Sequence, residues 1–412
     1  MPTVLFLGAS ISQLAALRRA RSHGFRVVAV DGDPAAIGFA EADAHEAVDF
    51  TDVDRVTEIA RREHVDAVVA ISSDRAVPAA AAVAEGLGLP GIGSGTAHVM
   101  TDKAAMRVRL LEHGVAQPTF SVLTAEAVRA AELSAINFPA VLKPVDSGGQ
   151  RGVFRLDSFA ELRKRLPETL AHSRNGTAIV ERYLEGAELN GIVIVRDGEP
   201  VLLTLSDRLR PRGRGFGVGW IHLYPSRLDR AWLDSAGQIA VAAVRALGLR
   251  DGIAFPQLIV TDGGEPSVVE VAARIPAGQM ADLVRLAIGV DLVDIALRQA
   301  LGLAVPDELV ESRFQRPLAV RFFTASPGIL PTGRVTAVSG LDRVRAAPGV
   351  LEADVYIQLG EVIRPVQVDA DRRGYVIATA ADPGAALELA GRAARELVVT
   401  VGPVTAGSLA NS

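Results

Sequence analysis

The chain has 412 residues, with 43 basic against 48 acidic side chains, a formal net charge of −5 and no cysteine. That length exceeds what one hydrophobic core supports, so several subdomains are expected. The basic residues are spread throughout, which excludes the electrostatic footprint of a nucleic-acid binder. The missing cysteine excludes disulfides and thiolate zinc sites, in keeping with a cytoplasmic location.

Residues 3–8 (TVLFLG) read as a buried strand; the run stops at Gly8 and lacks a basic flank, so no signal peptide is expected. A helix from about Ile11 to His23, a strand from Arg26 to Val30 ending at Asp31, a helix over Asp54–Arg62, a strand over Asp66–Ile71 and a helix near Val77–Gly86 follow. Strand–helix alternation with short links implies a doubly wound parallel sheet. The turn Gly8-Ala-Ser-Ile-Ser-Gln lacks the second and third glycines of the dinucleotide fingerprint, although Asp31 stands at the distance of a ribose-binding acid. The unit is therefore read as a cleft wall rather than an NAD site.

Thr101–His113 reads as an amphipathic helix with Lys103 in its first turn, stopped by Gly114. A cation there opposes the helix dipole, which favours meeting a phosphate over a structural role. Lysine is rare in this chain: three of the 43 basic residues are lysines, Lys103, Lys143 and Lys164. Lys164 sits in a polar helical segment, which leaves Lys103 and Lys143 to be explained.

A smaller α/β unit begins near Thr119. In FPAVLKPVDSGGQRGV (residues 138–153) an apolar strand runs into Lys143 and then a loop from Asp146 to Gly152. The lysine supplies a compact charge, and the glycines let backbone N–H groups approach anionic oxygens. The segment is not the P-loop, because no G-x-x-x-x-G-K-[ST] occurs. A strand over Val153–Leu156 and a helix from Ser158 to about Ser173 lead to ERYLEGAELNG (residues 181–191), where Glu181 follows a strand, Gly186 permits a bend and Glu188 opens the next strand.

Ser206–Ser226 gathers Arg208, Arg210, Arg212 and Arg214 among glycines and reads as a solvated loop or, beside a cleft, a carboxylate holder. His222 lies near its end. After a helix over 236–248 comes a β-hairpin with its turn at Asp262-Gly263-Gly264. If Thr261 pairs with Pro266, Gln257 stands opposite Glu270, with Arg274 four residues on. Helices over Met280–Ile288 and Val293–Leu303 follow. From Pro317 the tail reads as strands RPLAVRFFTA, VLEADVYI and GYVIATA, a helix over Gly384–Leu397 and a last strand, a small α+β cap without chemistry of its own. The apolar stretches meet a charge before membrane-spanning length, as at Arg245 within 239–249.

Lys103 before a short helix, FPAVLKP with its glycine loop, ERYLEGAELNG, and a hairpin ending VVEVAARIPAG occur in that order within roughly residues 1–330. This order resembles the ATP-grasp superfamily and, within it, the carboxylate–amine ligases, most of all the L-amino-acid ligases that join two amino acids. The resemblance implies an α/β ATP-grasp fold: an N-terminal Rossmann-like domain (1–118), a small α/β lid (119–188), a larger antiparallel-sheet α+β subdomain (189–316) and a C-terminal α+β cap (317–412). It implies that Lys103 and Lys143 contact ATP phosphates under a lid carrying Ser147, Gly148, Gly149 and Gly152. It also implies that Glu181, Arg182, Tyr183 and Leu184 line the adenine slot and that Glu188 binds the ribose hydroxyls.

The resemblance further implies Mg²⁺ on the hairpin. Gln257 stands where a first glutamate is expected, and Ala272 where many members have asparagine. A weaker or rearranged metal site is expected, with Glu270 as principal ligand. Arg274 would hold an acyl phosphate, and His222 would lie in the amino-acid pocket, positioning substrate or taking a proton. The expected partners are a small-molecule carboxylate and an amine, not nucleic acid or a membrane, with a homodimer as candidate assembly. A non-catalytic nucleotide-binding protein, a carboxyphosphate-type carboxylase and an NAD-dependent oxidoreductase are the alternatives.

Overall fold

The computed structural model describes residues 1–124, 136–210 and 217–403; Arg212 and Arg214 lie outside them. The chain begins with β1 (Thr3–Leu7), α1 (Ile11–Ser22), β2 (Arg26–Asp31), β3 (Ala44–Ala47), α2 (Val53–Arg62), β4 (Ala67–Ala70) and α3 (Ala76–Leu87). The four strands are parallel, in the order β3-β2-β1-β4. Asp31 serves this unit's own backbone, accepting the N–H of Ala9 at 2.7 Å and of Asp33 at 2.9 Å.

The helix expected over Thr101–His113 is α5 (Lys103–Glu112), and a separate helix, α4 (Ser94–Thr101), precedes it. Asp102 between them is extended and its side chain accepts the Ala105 N–H, an N-cap that makes Lys103 the first helical residue. The next unit comprises β5 (Phe120–Thr124), β6 (Ala140–Pro144), β7 (Phe154–Leu156), α6 (Phe159–Ala171) and β8 (Thr177–Arg182). Its antiparallel sheet, β5-β8-β6-β7, packs Leu142 and Leu156 against Leu162 and Leu166 of α6.

The remainder holds β9 (Ala187–Arg196), β10 (Glu199–Leu209), β11 (Ile221–Tyr224), α7 (Arg230–Leu247), β12 (Gly252–Val260), β13 (Pro266–Ala272), α8 (Met280–Ile288), α9 (Leu292–Ala300) and α10 (Asp307–Val310). Then come β14 (Leu318–Phe322), β15 (Gly333–Ser339), α11 (Leu341–Ala346), β16 (Val350–Val355), β17 (Val362–Ile363), β18 (Gly374–Thr379), α12 (Pro383–Ala394) and β19 (Val398–Gly402). One eight-stranded antiparallel sheet runs β13-β12-β9-β10-β11-β14-β18-β16, and β17-β15-β19 form a small separate one. Strand pairing therefore crosses residue 316, because β14 pairs with β11. Leu318, Ala319 and Val320 are fully buried, so this strand belongs inside a sheet rather than at the edge of an independent cap.

Two expectations are corrected here. Of the fifteen described residues of the arginine-rich stretch eight are strand, since β10 runs through Leu209 and β11 covers Ile221–Tyr224; backbone pairing with β9 and β14 overrides the loop-like composition. In the hairpin, Val260 rather than Thr261 pairs with Pro266, yet Gln257 still faces Glu270. A register shift between Gln257 and Leu258 leaves Val269 as an extra bulged residue that restores the alignment.

The bend from β8 into β9 turns on Gly186, at φ +156, where a Cβ would lie 2.1 Å from the Val260 carbonyl oxygen. Gly186→Ala is expected to lower the unfolding free energy by about 2 kcal/mol or more. Urea titration checks this.

Candidate active site

α5 presents Lys103 and Arg107 on one face, one helical turn apart. Arg107 is 1% exposed. Its Nε donates to Glu181 Oε1 at 2.8 Å, and its two terminal nitrogens donate to the carbonyls of Val268 (2.9 Å) and of the bulged residue Val269 (2.5 Å). Lys143, at the end of β6, reaches the other oxygen of Glu181 at 2.8 Å. Lys103 Nζ donates to the Ser147 carbonyl at 2.9 Å and pairs with Glu270 Oε1 at 3.0 Å.

Burial pushes the Glu181 carboxyl up, but Arg107 and Lys143 outweigh it and bring the pKa down to about 2. The two lysines diverge. Burial lowers the pKa of Lys143 more than Glu181 raises it, whereas Glu270 and Asp74 overcome burial at Lys103 and raise it.

Lys103, Lys143 and Glu181 line one slot of about 120 Å³, with Ser147, Gly148, Gly149, Arg182, Tyr183, Leu184, Glu188, Gln257 and Glu270 also in its wall. Glu188 is held there by Arg208 and Arg210. Gly152 is not in that wall; it lies at φ +68 against His172, and its carbonyl accepts from Thr169 Oγ1. Larger cavities of about 920 and 570 Å³ flank β4, but neither touches a lysine.

Arg274 and His222 lie outside the slot. Arg274 makes a two-pronged pair with Asp74, Nε to Oδ1 and Nη2 to Oδ2, both at 2.7 Å. Burial works against the Asp74 carboxylate, yet Arg274 and Lys103 more than offset it and hold its pKa below the ordinary value. His222 is 3% exposed on β11, and its Nδ1 lies 3.1 Å from Asn190 Nδ2. Burial, then Arg208 and Arg372, hold its pKa well below that of free histidine, so the ring is neutral near pH 7.

Sequence reading missed Arg107, Asp74 and Asn190. Arg107 was findable as the residue one turn beyond Lys103. Asp74 was findable because it follows the carboxyl end of β4, where ligand-binding loops of parallel sheets lie. Nothing in the sequence signalled Asn190.

Removing one partner of a buried ion pair leaves an uncompensated charge. Arg107→Met is therefore expected to cost about 3–5 kcal/mol in urea unfolding. Because the Glu181 pKa is depressed on folding, its contribution is fully present above its unperturbed pKa of 4.5 and is lost as pH falls towards about 2. The stability of wild type relative to Glu181→Gln should fall across that window in parallel urea titrations.

Residues 99–308 match the family described as carbamoyl-phosphate synthase L chain, ATP binding domain, and residues 322–402 match L-amino acid ligase C-terminal domain 2. The chain is 26% identical to an uncharacterized protein of Sinorhizobium fredii over 410 residues, covering 95% of this chain and 80% of that one. It is 26% identical to a D-alanine–D-alanine ligase of Cupriavidus taiwanensis over 234 residues, 54% of this chain and 70% of that one. The crystal structure of an L-amino acid ligase from Bacillus licheniformis has the same fold, with a TM-score of 0.84 at 20% identity over 98% of this chain and 99% of that chain.

Proposed function

This chain belongs to the family of the carbamoyl-phosphate synthase L chain ATP-binding domain and has the ATP-grasp fold, and from that premise we propose that it is an ATP-dependent carboxylate–amine ligase. The reaction forms an amide bond through an acyl phosphate, converts ATP to ADP and phosphate, and takes an amino acid as one substrate. The observation that carries the reading is the convergence of two of the chain's three lysines on one slot with Glu270 and the glycine loop.

A slot of about 120 Å³ is smaller than the roughly 300 Å³ of an ordinary ligand pocket. The loop of Ser147 to Gln150, which borders it, therefore has to lift before a nucleotide enters. Lys103 and Lys143 then exchange their carboxylate partners for phosphate oxygens. The substrate carboxylate attacks the γ-phosphorus and ADP leaves. Arg274 passes from Asp74 to the acyl phosphate and stabilises the oxyanion formed when the amine attacks; phosphate departs and the amine loses its proton. The lid excludes water, which would hydrolyse the acyl phosphate.

Glu270 supplies one carboxylate and Gln257 one amide oxygen, and among the described residues no group of three or more His, Cys, Asp or Glu could hold a metal ion. This donor set fits a Mg²⁺ that arrives with the phosphates, because Mg²⁺ commonly takes one or two carboxylates plus phosphate and water oxygens. Bound beside Glu270 and Gln257, Mg²⁺ supplies charge neutralisation on the phosphates.

We assign the two substrates to the 570 Å³ cavity between α1, α8 and the residues before β18. Arg285 and Arg372 face Asp282 and Asp369 there, both signs of charge that a zwitterionic amino acid needs.

With ATP, Mg²⁺ and paired amino acids, phosphate release is expected to depend on the pair supplied. Lys143→Ala and Lys103→Ala should each reduce kcat/KM by about 100-fold or more. Folded protein that releases no phosphate with any carboxylate and amine pair would overturn the proposal.

A further inference from the structure

Glu270, Gln257 and Asn190 stand side by side on β13, β12 and β9, in register. Gln257 Nε2 donates to Asn190 Oδ1 at 3.2 Å, and Asn190 Nδ2 lies 3.1 Å from His222 Nδ1. A further neighbour fixes the asparagine. Met280 Sδ is 3.8 Å from Asn190 Nδ2, and a thioether accepts hydrogen bonds but donates none. The NH₂ end of Asn190 therefore faces Met280 and His222, and its carbonyl faces Gln257. It follows that Nδ1 of His222 carries the lone pair and Nε2 carries the ring hydrogen.

Nε2 points away from this line. A Cβ built on Gly278 would lie 3.5 Å from it, and Gly278, Phe322 and Arg372 line the 570 Å³ cavity. Among the described residues no protein group bonds Nε2.

We propose that Gln257 and Asn190 form a two-amide relay that fixes His222 as a neutral ring with its hydrogen on Nε2, turned towards Gly278 in the wall of that cavity, so that His222 donates to an anionic substrate oxygen rather than acting as a base. Gln257 and Asn190 are positioning residues, and the identity of the cavity's occupant rests on the ligase reading. The relay gives the neutral residue at 257 a function. A carboxylate there can only accept, so Asn190 would turn its NH₂ towards it and present Oδ1 to the ring and to the Met280 thioether. His222 would then have to carry a hydrogen on Nδ1. The substitution that deprives the hairpin of a metal-binding charge is the one that sets the tautomer.

Nitrogen-15 NMR of the histidine-labelled full chain, without nucleotide or metal, reads the tautomer directly. His222→Gln assigns the resonances among the seven histidines. In wild type Nδ1 is expected to be pyridine-type and Nε2 pyrrole-type. Gln257→Glu and Asn190→Asp each place a carboxylate in the line, and each is expected to convert Nδ1 to pyrrole-type. Asn190 is fully buried, so if Asn190→Asp does not fold, the half-buried Gln257→Glu decides alone.

A pyrrole-type Nδ1 in wild type, or an unchanged Nδ1 in Gln257→Glu, overturns the relay whatever the turnover. The donor role has its own test. His222→Gln, whose amide sets an N–H near the place of Nε2, is expected to keep at least about tenfold more turnover than His222→Ala, and equal losses would overturn that role. A relay seen by NMR in a protein without ligase activity would refute the ligase reading and leave the relay standing.

Discussion

The guanidinium of Arg107 is the constraint on which the site depends. It is buried in the same place as three elements from distant parts of the chain: α5, the end of β8, and the bulged strand β13. A lone buried cation costs several kcal/mol in desolvation, so Arg107 is tolerable only because Glu181 and two carbonyls engage it. The carbonyls belong to the bulged residue Val269 and its neighbour Val268, at the bulge that brings Gln257 opposite Glu270. One side chain thus fixes the helix that carries Lys103, the carboxylate that holds Lys143, and the hairpin that carries Glu270.

A second feature follows from the low dielectric of the slot. Each cation expected to meet an anionic ligand already has a carboxylate: Lys103 has Glu270, Lys143 has Glu181, and Arg274 has Asp74. Glu188 in turn is held by two arginines. Unpaired charges in such surroundings would destabilise the ligand-free fold. On the proposed mechanism, entry of a polyphosphate at Lys103 and Lys143 is an exchange of partners, and its net free energy is a difference between two sets of strong interactions. Asp74 comes from the N-terminal unit, so the proposed transfer of Arg274 from Asp74 to an acyl phosphate would also loosen a tie between that unit and the large sheet.

Much of the fold was legible because it is written in local pattern. The strand–helix alternation of the first 90 or so residues and the hairpin around its Asp-Gly-Gly turn follow from periodicity and turn chemistry. The scarcity of lysine, a compositional signal, picked out two residues that line one slot. The arginine-rich stretch misled for a physical reason: Arg208 looks like a loop residue by composition, yet Glu188 neutralises it, and the backbone pairs on both sides. The tail read as a separate cap, but β14 pairs with β18 on one side and with β11 on the other, which joins it to the large sheet.

By itself the sequence determined most element types, the parallel character of the first unit's sheet, and the residue kinds that suit a polyphosphate. These depend on neighbours within a few residues, where propensity and periodicity act. Only the tertiary structure decided that Arg107 would join α5 to β8 and β13, and that a bulge at Val269 would correct the hairpin register. It alone decided that Asn190 would stand between Gln257 and His222. Such contacts span from about 30 to more than 150 residues of chain, and which distant groups meet is set by burial and strand order, quantities that no local window contains.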